Sequence, residues 1–212
     1  QSLVLASISF LFLLLGVVPQ VNILVDTYGT AAMHFYSGIT PYLAPKPWLD
    51  QFKYSPLFAM GFGAITQAAG HLHIPPSLAT VHIWNLINVF FFWFGICRWR
   101  DFRIREPWWH LIALAACFVE LDTATWYCHS NALIVGMTLL GIAEFRDGRH
   151  LTAGMILMLA SNFKILPALF AVSLLLSFKP TYFYGLAGCG VITFFLPSLV
   201  VGLRKNLDFH QE

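Results

Sequence analysis

The chain has 212 residues, 58% of them hydrophobic and 10% charged, with a formal net charge of +2. An ordinary soluble domain carries about 25% charged residues, and a mean hydropathy of +0.71 also speaks against one. So small a charge makes no electrostatic case for nucleic acid and none is expected as a partner; the basic residues inform through their positions.

The first apolar run is Leu3–Pro19, beginning directly after Gln1 and Ser2. It lacks a basic leading region and a small-x-small cleavage site, so Leu3 to Val18 is expected to be a retained span rather than a signal peptide. A chain opening on Gln1 reads as a fragment. Next comes a mixed segment, Gln20–Lys53, rich in Tyr, Pro and small residues. Within it, Tyr28–Tyr36 and Pro47–Tyr54 are predicted as short interfacial helices. Trp and Tyr favour the headgroup level, and Pro41, Pro45 and Pro47 interrupt the connection.

Pro56–His73 is apolar but weak, holding Gly61, Gly63, Gly70, Gln67, His71 and His73. After Pro75 and Pro76 comes a clear span, Ser77–Cys97, whose NVFFFWF stripe is expected to face lipid. It runs into Arg98, Arg100, Arg103 and Arg105, the most basic patch of the chain. The later runs are Trp108–Val119, Asn131–Phe145, Leu151–Phe163, Ile165–Phe178 and Tyr182–Leu203, separated by ELDTATWYCHS, RDGRH, FK and KPT. Cys97, Cys117, Cys128 and Cys189 sit singly in or beside apolar segments without metal or redox spacing, and are read as buried small residues.

The positive-inside rule gives these runs a direction. With Arg98–Arg105, Arg146–Arg149 and Lys179 on the cytoplasmic side, Ser77–Cys97 runs inward and Trp108–Val119 outward. Asn131–Phe145 then returns, Leu151–Phe163 goes out, Ile165–Phe178 returns and Tyr182–Leu203 goes out. Gln20 to Pro76 lies outside, provided Leu3–Pro19 runs outward, with Pro56–His73 a non-crossing interfacial or re-entrant helix; the rival is a full crossing. The expected fold is all-α: one membrane-embedded module over residues 1–212 with about seven spans and interfacial helices in a first external loop of about residues 20–76.

Polar residues that hydrocarbon would exclude gather on this predicted outer side. Asp26, in VDTY, is either a solvated surface carboxylate or a base able to take a hydroxyl proton, with Tyr28, His34, Tyr36, Lys53 and Tyr54 in the same segment. Lys164, between two apolar runs, either snorkels to the interface or supplies a cation for a lipid phosphate. His129, Ser130 and Asn131 open a helix. The hydroxyl or amide caps it, or the helix start faces an anion. Glu120 and Asp122 read as a solvated loop. His71, His73, His82 and His110 have no metal spacing and are expected to be interfacial. No metal site emerges, nor any glycine-rich nucleotide fingerprint.

The stretch VDTYGTAAMHFYSGITPYLAP…FKYSPLFA, followed by SNALIVGMTLLGIAEFRDGRHLTAGMILMLASNFKILPALF, resembles the GT-C glycosyltransferases, in particular the bacterial polyprenol-phosphate-mannose-dependent family. The resemblance runs from Asp26 to about Phe178. It implies inverting transfer of a sugar, mannose in that family, from a polyprenyl-phosphate donor to a lipid or glycan acceptor. The transfer would take place on the extracytoplasmic face of a bacterial inner membrane, in a multi-pass protein without a cofactor. Carried over by position, Asp26 matches the family's general base and Tyr54 with Pro56 its Y-x-P-L motif. Asn131 and Lys164 match later polar positions, Lys164 toward the donor phosphate. Tyr28, Lys53 and His129 complete the expected substrate contacts.

Family members are about twice this length, so the resemblance implies a truncated or short relative. The partners implied are membrane lipids and the lipid-linked donor. A second reading is a non-catalytic subunit of a larger membrane complex derived from such an enzyme. A transporter would need ionisable residues in mid-span, and here nearly all sit at span ends.

Overall fold

The computed structural model describes residues 23–43, 54–73, 76–98 and 129–210. Every regular element among them is an α-helix: α1 Ile23–Tyr36, α2 Pro56–His71, α3 Pro76–Arg98, α4 Asn131–Arg146, α5 His150–Phe163, α6 Leu166–Leu175, α7 Pro180–Phe195, α8 Ser198–Val201 and α9 Leu203–Phe209. The expected spans Leu3–Pro19 and Trp108–Val119 and the expected helix Pro47–Tyr54, up to Lys53, lie outside the described residues. So do Glu120, Asp122, His110, Cys117 and Cys128.

Local chemistry explains several boundaries. Proline stands in the first turn of α2, α6 and α7, where its missing N–H has no intrahelical partner in any case. α1 ends at Gly38, whose φ of +69° suits glycine. Its amide bonds to Phe35 O and the next amide, of Ile39, reaches back to His34 O. α4 turns into α5 through Asp147, Gly148 and Arg149, with Gly148 at φ +83°.

The helices pair in register. Asn88, Phe91 and Arg98 of α3 lie beside Leu133, Gly136 and Glu144 of α4. Both sets rise along the chain, so α3 and α4 are parallel. α5 and α7 are parallel by the same test: Gly154 lies against Tyr182 and Leu186, and Asn162 donates to Thr193 Oγ1 at 3.0 Å. In each pair glycines allow backbone contact. A Cβ on Gly136 would collide with the Phe91 carbonyl, and one on Gly185 with the Leu151 carbonyl, the close approach that small residues give membrane helices. The short α6 is the return between α5 and α7. The sequence between Arg98 and His129, where the outward span Trp108–Val119 is predicted, connects the other pair.

Two apolar clusters hold the bundle. The larger joins Tyr28 and Phe35 of α1, Phe58 and Phe62 of α2, Trp84 of α3, Leu133 and Met137 of α4, Ala160 of α5 and Phe209 of α9. The smaller joins Ala153 and Leu157 of α5, Ala171 of α6 and Tyr182 of α7, with Tyr182 Oη donating to Ala171 O at 2.9 Å. The C-terminus folds back on α1. Asn206, fully buried, donates to Phe194 O and Ser198 Oγ, and Phe209 lies 6.1 Å from Phe35, centroid to centroid.

Among the described residues one stretch, Pro180–Val201, is long and apolar enough to cross a bilayer by itself, while Val81–Ile96, His150–Phe163 and Leu166–Leu175 are apolar but shorter. One expected span comes out shorter. Ile165–Phe178 contains only the ten residues of α6 as helix, about 15 Å at 1.5 Å per residue, because the chain leaves the helix before Phe178 at φ +52°. Tyr182–Leu203 corresponds to the bilayer-length stretch Pro180–Val201: Leu196 and Pro197 keep helical backbone between α7 and α8, and the chain turns at Gly202, φ +86°. The NVFFFWF stripe is divided. Phe90 and Phe94 stack on each other at the surface, while Val89 and Phe92 are buried.

Candidate functional site

The start of α4, the end of α5, the residues before α2 and the helix α1 meet at one end of the bundle. α5 stops at Phe163, and Lys164 follows in extended conformation, φ −148° and ψ 150°. Ile165 and Pro167 then start α6 in a new direction. This corner leaves Lys164 exposed. Its Nζ donates to Oδ1 of Asn131, the first residue of α4, at 2.6 Å. Two polar residues 33 positions apart thus form one exposed pair.

Behind the pair lies a chain of hydroxyls. Ser130 is buried, and its Oγ donates to Tyr54 Oη at 3.2 Å. Tyr54 Oη lies 3.0 Å from Tyr28 Oη. The Ser130 hydroxyl accepts no capping N–H from α4. That role passes to Asn88 of α3, which is fully buried: its Oδ1 accepts the Leu133 N–H at 3.1 Å while its Nδ2 donates to Trp84 O at 2.9 Å. The first turn of α4 is held from two neighbouring segments.

An aromatic floor supports the hydroxyls. Tyr54 stacks on Phe58 at 4.4 Å, and Tyr28 stands edge-on to Tyr54, Phe58 and Phe62 at 5.4, 5.0 and 5.4 Å. Phe163, next to Lys164, meets Phe58 edge-on at 5.7 Å, which ties the Lys164 corner to α2. Nearby, Tyr36 donates to Met60 O at 3.0 Å, and burial pushes its phenol pKa up, keeping it protonated.

The candidate residues fall into three groups. Asn131 and Lys164 touch. Tyr28 and Tyr54 touch and reach Ser130, with half-buried His129 just before it; Tyr28 itself is 1% exposed. Asp26 is exposed in the first turn of α1, without a hydrogen bond or ion pair among the described residues. At i, i+2 it does not share a helix face with Tyr28. Lys53 lies outside the described residues.

Two features escaped the sequence reading. One is Asn88, signalled only by an amide in the middle of an apolar run. The other is Glu144, at the opposite end of α4. Its carboxylate, 7% exposed, accepts from Arg98 at 2.8 and 3.2 Å and from Arg149, and both arginines also reach Asp147. Arg98, expected to set topology or to meet anionic lipid, is therefore also a structural cation.

The fold and site define an all-α protein with an apolar helix of membrane-spanning length and a polar, lysine-bearing end. Residues 52–211 match the family model described as Glycosyltransferase family 87, and the chain belongs to that family. The family is GT-C-like and membrane-associated. The matched region contains Lys53, Tyr54, His129, Asn131 and Lys164; Asp26 and Tyr28 precede it. No curated protein and no solved structure gives a significant match.

Proposed function

We propose that this chain is a multi-pass glycosyltransferase of a bacterial inner membrane. It transfers a sugar, mannose, from a polyprenyl-phosphate donor to a lipid or glycan acceptor on the extracytoplasmic face. The observation that carries this reading is the Asn131–Lys164 pair, an exposed ammonium held at 2.6 Å beside a helix start. A fixed cation at the N-terminus of a helix suits a phosphate oxygen, through charge and through the helix dipole. Membership of a glycosyltransferase family supplies the reaction class, and the apolar surroundings suit a lipid-linked donor.

In this mechanism the acceptor hydroxyl attacks the anomeric carbon from the face opposite the phosphate. The C–O bond to the phosphate breaks, and the configuration inverts. The Asp26 carboxylate takes the hydroxyl proton. The polyprenyl phosphate leaves with the bonding pair, and Lys164 and the start of α4 stabilise its charge as it develops. Parallel α3/α4 and parallel α5/α7 are what the charge-derived alternation requires of those four helices.

A second reading, a non-catalytic subunit, draws on the exposed and unpartnered state of Asp26 among the described residues. Supplying purified protein with radiolabelled polyprenyl-phosphate mannose and acceptor lipid separates the two. The enzyme reading expects turnover that Asp26→Asn lowers by at least about a hundredfold, the lower end of general-base catalysis. Equal turnover by both proteins removes Asp26 from the mechanism, and none by either favours the subunit.

A further inference from the structure

We propose that Asn88 is a positioning residue for the Asn131–Lys164 pair, acting through the first turn of α4. An asparagine amide at full burial in an apolar span is costly unless both of its ends are satisfied. Here both are, and asymmetrically. Nδ2 bonds within its own helix, to Trp84 O at 2.9 Å, while Oδ1 crosses to α4 and takes the Leu133 N–H at 3.1 Å. The first bond locks the amide's orientation, so the second has a fixed direction.

Leu133 is the third residue of α4, and its amide is one of the donors a helix start leaves without an intrahelical acceptor. Capping normally comes from the residue just before the helix. Ser130 occupies that place but gives its hydroxyl to Tyr54. Asn88 therefore does from α3 what the local cap does not. Two residues before Leu133 stands Asn131, whose Oδ1 holds the Lys164 ammonium. If the first turn of α4 frays, Asn131 moves and the ammonium is released.

The functional weight of Asn88 rests on the reading of that pair as the phosphate site, but its test does not. Lys164 modification by a water-soluble amine reagent is followed by peptide mass in purified protein, with helical circular dichroism as the check on folding. Asn131→Ala sets the rate for a released ammonium. Asn88→Ala is expected to raise the Lys164 rate about fivefold, the factor for losing one helix-cap interaction. Asn88→Asp keeps an oxygen for the Leu133 amide but loses the Nδ2 bond to Trp84 O that fixes its direction, and is expected to label between the parent and Asn88→Ala. Labelling of Asn88→Ala at the parent rate contradicts the proposal, as does Asn88→Asp labelling faster than Asn88→Ala. Should Asn88→Ala not fold, Asn88→Leu, similar in size and without either polar end, takes its place with the same expected rise, and a parent rate for it contradicts the proposal. An Asn131→Ala rate equal to the parent's also overturns it, because no held pair would exist to position. No donor enters the assay, so its outcome is independent of whether Lys164 binds a phosphate.

Discussion

Replacing Arg98 with methionine leaves the Glu144 carboxylate with one guanidinium where it had two. That carboxylate is 7% exposed, so it cannot turn to water for a substitute. Removing one partner of a fully buried pair costs about 3–5 kcal/mol. With Arg149 still bonded to Glu144, Arg98→Met is expected to cost about 2 kcal/mol on that scale. Arg149→Met should cost less, below about 1 kcal/mol, because the Arg149 side chain is 48% exposed and that of Arg98 only 24%. Thermal unfolding in detergent checks the order, and equal losses would show that the two arginines share the carboxylate evenly. The sequence alone showed the arginines as a charge pattern. It did not show that Glu144 faces Arg98 from 46 positions away, since charge alternation puts both helix ends on one side without making α3 and α4 neighbours. Asn131 and Lys164 were legible as polar residues at the same predicted end, because charge alternation assigns ends. Their direct contact was not, because it depends on where α5 breaks.

At the scale of elements, the α5/α7 pair depends on what glycine omits. A methyl on Gly185 would strike the carbonyl of Leu151, and the matching contact at Gly154 involves the backbone of Tyr182 and Leu186. Backbone cannot rotate away as a side chain can, so Gly185→Ala should force the helices apart and cost about 1–3 kcal/mol, as overpacking does. Gly188→Ala, in the same helix with open space at its Cβ position, is the control and should be neutral or slightly stabilising. Thermal unfolding of both variants measures the difference, and equal midpoints would contradict the parallel packing. Helix ends marked by charge or proline were legible: the reading of Ser77–Cys97 falls within one residue of α3 at both ends. Shortening of α6 was not legible, because LPALFAVSLLLSF is apolar but for two serines. Hydropathy says where lipid is tolerated and nothing about where the backbone turns.

At the scale of the whole molecule, α4 separates two ends of different character by about 24 Å, from 1.5 Å per residue, somewhat less than the about 30 Å of a hydrocarbon core. One end carries the Arg98–Glu144–Arg149 cluster, the other the Asn131–Lys164 pair above its aromatic floor. In the proposed function the positive-inside rule puts the first end in the cytoplasm and turns the second outward, toward the proposed lipid-linked donor and its acceptor. Sidedness and ligand can be read together at Lys164. Intact cells carrying the protein are treated with a membrane-impermeant amine reagent, with and without polyprenyl-phosphate mannose, and modification is located by peptide mass. The account predicts that Lys164 is modified from outside and that the donor protects it. Modification only after the cells are opened, or an unchanged rate with saturating donor, would contradict it.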